Sequence, residues 1–349
     1  MSGITFVGCA GTPSRAVAQD ARRSTRVSRG PKRIIDVHAH CAFPEAMALM
    51  GLPPYPQHGH PGLPQVLKAS EDQAPQRLAA MDAQGIDMEV LSINPFWYRA
   101  DPDLARQVVK LQNESLAEFV ARYPDRFAAL ASVALQHPEI AAEQLDHAVK
   151  VLGLRGAMIG GSVEGAELAD PKFHPFWAKA EELGVLVFIH PQGVPEAAAR
   201  LAGSGGLGNV IGNPLETTIA LSHLIFEGTL DRFPGLKILA AHGGGYLPSY
   251  AARSDAGIRT FPGTYTRPLK KPPTAYLRDL YYDSLVFSSE GLRHLAAEVG
   301  ADRIMMGTDF PYPWTDRAVE HIRQTPGLSE AEKASMLGDL AARLLGIAA

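Results

Sequence analysis

The chain has few cysteines and no long apolar run, and each of these features excludes certain classes of protein. Its 349 residues include two cysteines, Cys9 and Cys41, too few for a disulfide framework or a cysteine-rich zinc module. Cys41 directly follows a histidine and is interpreted as a small packed residue rather than as a metal ligand. Because no stretch of about 18 consecutive apolar residues occurs, the sequence predicts no transmembrane helix and no membrane partner.

The chain also lacks an excess of positive charge. Its formal net charge is −4, which gives no electrostatic basis for a nucleic-acid partner, since proteins that bind nucleic acids usually carry basic surfaces. Hydrophobic residues make up 46% of the chain and charged residues 20%. These proportions are typical of an ordinary globular protein with a large core.

The first thirty residues differ from the rest. They are rich in Ser, Gly, Ala and Arg and show no sustained periodicity, as in a disordered tail. The run from Ile4 to Ala10 resembles the end of an export signal's apolar region, and the small residues at 16–18 fit a cleavage site. We therefore expect residues 1–30 to be a disordered tail or a truncated export signal. A tail predicts a cytoplasmic protein, whereas a remnant of a longer signal predicts a periplasmic one.

From residue 31 to 349 we expect one domain in which short apolar runs alternate with helical stretches. The predicted strands are 33–38, 87–93, 127–133, 154–160, 185–190, 236–242, 279–284 and 303–308, and the predicted helices are 74–84, 102–122, 138–151, 172–183, 214–232, 244–256, 288–299 and 329–346. This alternation predicts an α/β fold with parallel pairing, and eight such strands close a (β/α)8 TIM barrel. Residues 43–73, rich in Pro, Gly and His, form an irregular insertion after the first strand, where a long loop lies over the barrel mouth.

Residues that bind metals or carry protons lie at the ends of four predicted strands. His38 and His40 end the first apolar run, and their i, i+2 spacing puts both side chains on one face of a strand. His190, His242 and Asp309 end the fifth, sixth and eighth runs. Because barrel enzymes build their sites at the carboxyl ends of the strands, these five residues predict a metal site.

The residue types indicate which metal and which chemistry. Imidazoles and a carboxylate suit Zn²⁺, with Mn²⁺ or Fe²⁺ as alternatives. His38, His40, His190 and Asp309 supply the ligands, which leaves His242 as a general acid or base beside a metal-bound water. No lysine ends the fourth predicted strand, where a carbamylated lysine could bridge two ions, so we expect a single ion.

Several segments resemble the amidohydrolase superfamily, specifically its aminocarboxymuconate-semialdehyde decarboxylase-related branch, the amidohydrolase 2 family. The matching segments are Asp36-Val-His-Ala-His40, His190-Pro191, Pro214-Leu-Glu-Thr-Thr218, Phe233-Pro-Gly-Leu-Lys237, His242-Gly-Gly-Gly245 and Gly307-Thr-Asp-Phe-Pro311. The spacing between the last two segments is a specific signal. The resemblance implies a zinc-dependent barrel with the same four ligands, and with His242 activating the metal-bound water.

The resemblance also implies roles for two arginines. Arg253, eleven residues beyond His242, matches an arginine that reaches into the partner subunit's site, which implies a homodimer. Arg77 matches an arginine that binds a substrate carboxylate, and its planar fork suits that group. Gln192 departs from the family, because the decarboxylase carries an aromatic residue after its His-Pro pair. The resemblance therefore predicts the metal site but does not identify the substrate.

The leading hypothesis is a zinc-dependent nonoxidative decarboxylase of a small unsaturated or aromatic carboxylic acid. The alternative is a hydrolase of a lactone, an amide or a carbon–carbon bond, in which Asp309 or His242 carries the proton. A hydratase is a third enzymatic option. A ligand-binding barrel with a structural metal is less favoured, because His242 stands in addition to four ligands.

Overall fold

The computed structural model describes residues 31–53, 69–265 and 267–348. The predicted tail or export signal therefore lies outside the described residues, as does the 54–68 part of the predicted insertion. The described start of that insertion is a short helix, Pro44–Leu49, which the sequence did not predict. Pro44 occupies its first turn, where a fixed φ and a missing N–H do not disturb helical hydrogen bonding.

In these ranges ten strands are formed. They are β1 (Ile35–His40), β2 (Met88–Ser92), β3 (Phe127–Ala129), β4 (Gly156–Gly160), β5 (Ser162–Val163), β6 (Ala166–Glu167), β7 (Leu186–His190), β8 (Lys237–Ala240), β9 (Tyr281–Asp283) and β10 (Ile304–Met305). The strands β5 and β6 form a small antiparallel hairpin, and the other eight are parallel to their neighbours. Each of these eight lies in a predicted strand or overlaps one.

The parallel strands form a closed barrel. One ladder runs β1-β2-β3 and another runs β4-β7-β8-β9-β10. A bridge between Ala131 and Ala157 joins the first ladder to β4, and a bridge between Ala39 and Phe310 joins β1 to the chain after β10. The backbone N–H of Val37 also donates to the carbonyl of Met306 at 3.0 Å. The prediction of a (β/α)8 TIM barrel is confirmed.

Helices follow the strands around the outside. They are α1 (Pro44–Leu49), α2 (Ala74–Gln84), α3 (Pro102–Arg122), α4 (Pro138–Lys150), α5 (His174–Leu183), α6 (Ala198–Leu201), α7 (Asn213–Phe226), α8 (Thr229–Arg232), α9 (Leu247–Thr260), α10 (Pro273–Tyr276), α11 (Ser289–Val299), α12 (Ala318–Gln324), α13 (Glu330–Ala334) and α14 (Leu340–Leu345). The predicted helix 214–232 is interrupted between α7 and α8, where Gly228 has a φ of 76°. A π-helical turn, Ser335–Asp339, connects α13 to α14.

The barrel strands are buried on both faces, and β7 illustrates how this positions the site. Leu186 and Phe188 belong to one apolar cluster, whereas the alternating Val187 and Ile189 belong to another. Because side chains alternate along a strand, His190 lies on the same face as Phe188. Apolar packing on that face therefore ends in an imidazole at the carboxyl end of the strand.

Candidate active site

The barrel brings all five sequence-predicted histidine and aspartate residues together at the carboxyl ends of its strands. The Nε2 atoms of His38 and His40 lie 3.1 Å apart, and Asp309 Oδ1 is 3.3 Å and 3.0 Å from them. One ligand atom from each of His38, His190, His242 and Asp309 lies within 4.8 Å of the other three. These four histidines and Asp309 form a compact group of nitrogen and oxygen donors, called the donor group below.

The donor group fits a divalent cation. His190 is only 5% exposed, and neither of its ring nitrogens has a hydrogen-bond partner among the described residues. Burial lowers the pKa of His40 and holds the pKa of His190 well below its usual range, so both imidazoles are neutral. Neutral imidazoles present the lone pairs that Zn²⁺ and Mn²⁺ accept.

His38 carries a proton between the carboxylates, and a bound cation would displace this proton. Burial alone lowers the pKa of His38, but Asp309 and the hydrogen bond to Asp283 outweigh burial and raise that pKa to about 10. Burial raises the pKa of Asp309, yet the surrounding histidines, His38 foremost, hold it well below its usual range. Asp309 is therefore ionised, as a carboxylate ligand must be.

Asp283 is a member of this network that sequence reasoning did not single out. Its Oδ2 lies 2.6 Å from His38 Nδ1, which fixes the ring and directs Nε2 toward the other donors. Its two oxygens also accept the backbone N–H groups of His242 and Gly243, each at 2.8 Å. The available signal was its position near the end of the seventh predicted strand, 279–284, since the other site residues also lie at or next to strand ends.

His242 is presented by an unusual turn. His242 and the three glycines after it all have positive φ, at 54°, 62°, 79° and 65°. A Cβ at Gly245 would lie 2.1 Å from the carbonyl oxygen of Pro214, so this position needs glycine. The turn leaves the His242 side chain 14% exposed, with Nε2 3.6 Å from Asp309 Oδ2. His242 thus lies at the partly exposed edge of the donor group.

Asp36 joins β1 to the segment after β10, and these two stretches carry His38, His40 and Asp309. It accepts hydrogen bonds from the backbone N–H of His38 at 2.9 Å and of Thr308 at 3.1 Å, and from the Thr308 hydroxyl at 2.5 Å. Gly307 lets these segments approach, because a Cβ there would lie 2.8 Å from that of His38. The histidines of β1 and the segment of Asp309 are therefore held at a fixed separation.

A cavity of about 300 Å³ opens beside the donor group. Its lining is mostly apolar and consists of His40, Cys41, Ala42, Met47, Leu52, Pro53, Ile93, Asn94, Pro95, Phe96 and Tyr312. Burial raises the pKa of the Cys41 thiol to about 12, which keeps it protonated and unsuited to binding metal. This volume lies at the lower end of the range for small-molecule sites.

Glu216 holds the loop that follows β7. It lies on α7, is buried, and accepts the backbone N–H groups of Gln192 and Gly193, the latter at 2.7 Å, together with the Ser162 hydroxyl at 3.1 Å. The Gln192 side chain in turn donates to the carbonyl of Pro95. Gln192, the residue that departs from the family pattern, therefore links two loops of the barrel mouth.

The structure does not bring the two predicted arginines into the donor group. Arg253 is exposed on α9. Arg77 is buried on α2, where Nε donates to Glu89 at 2.6 Å and a terminal nitrogen donates to the carbonyl of His40 at 2.9 Å. Neither is among the described residues that line the cavity. A substrate-carboxylate contact by Arg77 stays a prediction, since in this geometry its guanidinium is committed to protein groups.

The metal-binding geometry and the barrel together define the class of protein. A family model described as "Amidohydrolase" matches residues 35–347, and the chain belongs to this family. Both the predicted family and the predicted class of enzyme, a metal-dependent carboxy-lyase or hydrolase of the amidohydrolase superfamily, are confirmed.

Individual relatives of the chain include decarboxylases. The chain is 32% identical to a 2-amino-3-carboxymuconate-6-semialdehyde decarboxylase of Dictyostelium discoideum over 78% of this chain and 76% of the relative. It is 33% identical to a gamma-resorcylate decarboxylase of a Rhizobium species over 74% of this chain and 82% of the relative. It is also similar to the crystal structure of a dihydroxybenzoic acid decarboxylase from a Polaromonas species, with bound manganese and the inhibitor 2-nitroresorcinol. That similarity has a TM-score of 0.79 at 29% identity and covers 90% of this chain and 97% of the other.

None of the described helices is both long and apolar enough to cross a bilayer.

Proposed function

We propose that this chain is a metal-dependent nonoxidative decarboxylase acting on a small aromatic or unsaturated carboxylic acid. The observation that carries the proposal is the buried group of histidines and Asp309, which borders a mostly apolar cavity of about 300 Å³ at His40. A planar acid fits such a cavity with its carboxylate toward the metal side. The decarboxylases to which the chain is similar support the reaction class.

The proposed metal ligands are His38, His40, His190 and Asp309. Zinc is the ion we propose, and manganese is a close alternative because the similar Polaromonas enzyme binds it. When bound, the ion supplies positive charge that attracts substrate oxygens and stabilises negative charge in the transition state. The chain holds these donors in place through two hydrogen bonds, one between Asp283 and His38 and one from Thr308 to Asp36.

His242 carries the proton in this proposal. The bond between the carboxylate carbon and its neighbour breaks, carbon dioxide leaves, and the bonding electron pair stays on the neighbouring carbon, which takes up one proton. His242 holds that proton at Nε2, beside Asp309 Oδ2, and delivers it at the partly exposed edge of the donor group. The apolar walls near Ile93 and Phe96 exclude water from the carbon that must be protonated.

The proposed reaction is tested by offering acids to the purified enzyme. The protein, stripped of metal and reloaded with Zn²⁺ or Mn²⁺, is incubated with 2,6-dihydroxybenzoate, other hydroxybenzoates and carboxymuconate-type acids. We expect release of carbon dioxide from at least one acid, lost on chelation and restored by metal. If no acid of either class releases carbon dioxide from the reloaded enzyme, the proposal is wrong.

We also propose that the enzyme is a homodimer in which Arg253 acts across the interface. Its support is that Arg253 is exposed on α9, where the nearby Tyr250 is 69% exposed, so the helix presents a cation and an aromatic ring outward. Exposed aromatic and arginine side chains are typical of protein interfaces.

A subunit-mixing experiment tests the role of Arg253. Arg253→Met and His242→Asn variants, each with low activity alone, are unfolded together and refolded. If Arg253 acts in trans, mixed dimers contain one intact site, and about a quarter of wild-type activity returns. Activity that stays at the sum of the two separate variants would rule out action across the interface.

A further inference from the structure

A buried ion pair lies next to His40, outside the cavity lining among the described residues. Arg77 on α2 and Glu89 on β2 are each 1% exposed, and Arg77 Nε donates to Glu89 Oε2 at 2.6 Å. Removing two charges from water is costly, and apolar residues of similar volume often stabilise a fold equally well. A contribution to stability therefore does not by itself account for burying Arg77 and Glu89.

Arg77 contacts the two segments that supply two of the proposed ligands. One terminal nitrogen donates to the carbonyl of His40 at 2.9 Å, and its guanidinium carbon lies 4.9 Å from the ring centre of Phe310. Phe310 directly follows Asp309. A single guanidinium thus contacts both the end of β1 and the segment after β10. These two segments hold His40 Nε2 and Asp309 Oδ1 3.0 Å apart.

Glu89 sets the orientation of that guanidinium. It lies on β2, whose register pairs Glu89 with Asp36 of β1, so its backbone is part of the barrel wall. The guanidinium is planar and its donors have fixed directions. A bond from Nε to Glu89 therefore aims a terminal nitrogen at the His40 carbonyl, whereas a lysine could not satisfy both acceptors with fixed geometry.

We infer that Arg77 and Glu89 are positioning residues of the metal centre, which fix His40 and Asp309 at the spacing that metal binding needs. This rests on the proposed function only in that the donor group binds a metal. It replaces the substrate-carboxylate role that the family resemblance implied for Arg77. The substrate would then be held by groups other than this arginine.

The experiment measures metal affinity rather than turnover. Metal-free full-length protein is titrated with Mn²⁺, and free Mn²⁺ is followed by electron paramagnetic resonance. We expect Arg77→Met to weaken Mn²⁺ binding by about 10- to 100-fold, the usual effect of losing a group that orients a metal ligand. Arg77→Lys restores only part of the affinity, because lysine lacks the fork. Glu89→Gln weakens binding less than Arg77→Met.

Arg126→Met is the matched control. Arg126 also connects the region of α2 and β2, through bonds to Asp82 at 2.6 Å and to the carbonyl of Asp87 at 3.0 Å, but neither group belongs to the donor group. We expect its Mn²⁺ affinity to equal that of the wild type. Should Arg77→Met fail to fold, Glu89→Gln, which keeps the shape of the side chain, decides the question.

Two outcomes separate this inference from its rival and from the proposed function. If Arg77→Met and Glu89→Gln bind Mn²⁺ as the wild type does while Arg77→Met raises KM, Arg77 binds substrate and the positioning role is wrong. If the wild type binds Mn²⁺ and the variants do not, yet no acid is decarboxylated, the proposed reaction fails and the positioning role stands.

Discussion

Replacing His242 by asparagine lowers kcat by about 10²- to 10⁴-fold, the range associated with loss of a positioned general acid or base. Asparagine keeps a polar side chain of similar reach but cannot take up and release a proton near neutral pH. Because His38, His40, His190 and Asp309 remain, we expect the metal content of the variant to stay full. Turnover and metal content, measured on the same preparation, check the expected loss of kcat and the expected full metal content.

The control for this prediction is another histidine. His294 lies on α11 and contacts the Ser249 hydroxyl at 3.1 Å on the surface, so His294→Asn should retain wild-type kcat. A His242→Asn variant that turns over normally would remove His242 from the reaction. One that is inactive because it has lost its metal would make His242 a ligand rather than the carrier of the proton.

Replacing Asp283 by asparagine should weaken metal binding by about 10- to 100-fold and lower the melting temperature. Asp283 accepts from His38, His242, Gly243 and Leu285, and Asn has one acceptor oxygen to meet these donors. Burial raises the pKa of Asp283, but the hydrogen bond from His38 and the nearby charges lower it overall. The carboxylate is therefore the form that the fold holds.

A surface aspartate from the same part of the chain provides the comparison. Asp279 pairs with Lys271 where both are substantially exposed, so Asp279→Asn should alter stability by well under about 1 kcal/mol and leave Mn²⁺ affinity unchanged. If Asp283→Asn bound Mn²⁺ as tightly as the wild type, the orientation of His38 by Asp283 would have no bearing on the metal site.

Much of the barrel follows from local sequence. The predicted bounds of α3, 102–122, agree with the structure because the start is strongly marked: Asp101 accepts from the N–H of Leu104, and Pro102 occupies the first turn. The strand ends were recognisable because His38, His190 and Asp309 terminate apolar runs, and the barrel fold puts such ends at one mouth.

Other features depend on contacts between distant residues. Asp283 meets His38 across 245 residues. Its place at a strand end points to the barrel mouth, but nothing local identifies His38 as its partner. For Arg77 a local signal existed: Ala74, Arg77 and Met81 are the buried residues of α2, spaced as one face of a helix. That spacing indicates an inward arginine, but the partner Glu89 and the carbonyl of His40 become apparent only in the folded chain.

Isotopic analysis of the products distinguishes decarboxylation from hydrolysis and hydration. The metal-loaded enzyme is supplied with an acid that it consumes, labelled with ¹³C at the carboxylate, in parallel reactions in ²H₂O and in H₂¹⁸O. We expect one ¹³CO₂ per molecule consumed and one deuterium on the carbon that carried the carboxylate, with no ¹⁸O in the organic product. Retention of the labelled carboxylate, with ¹⁸O entering the organic product, would show hydrolysis or hydration instead and contradict decarboxylation.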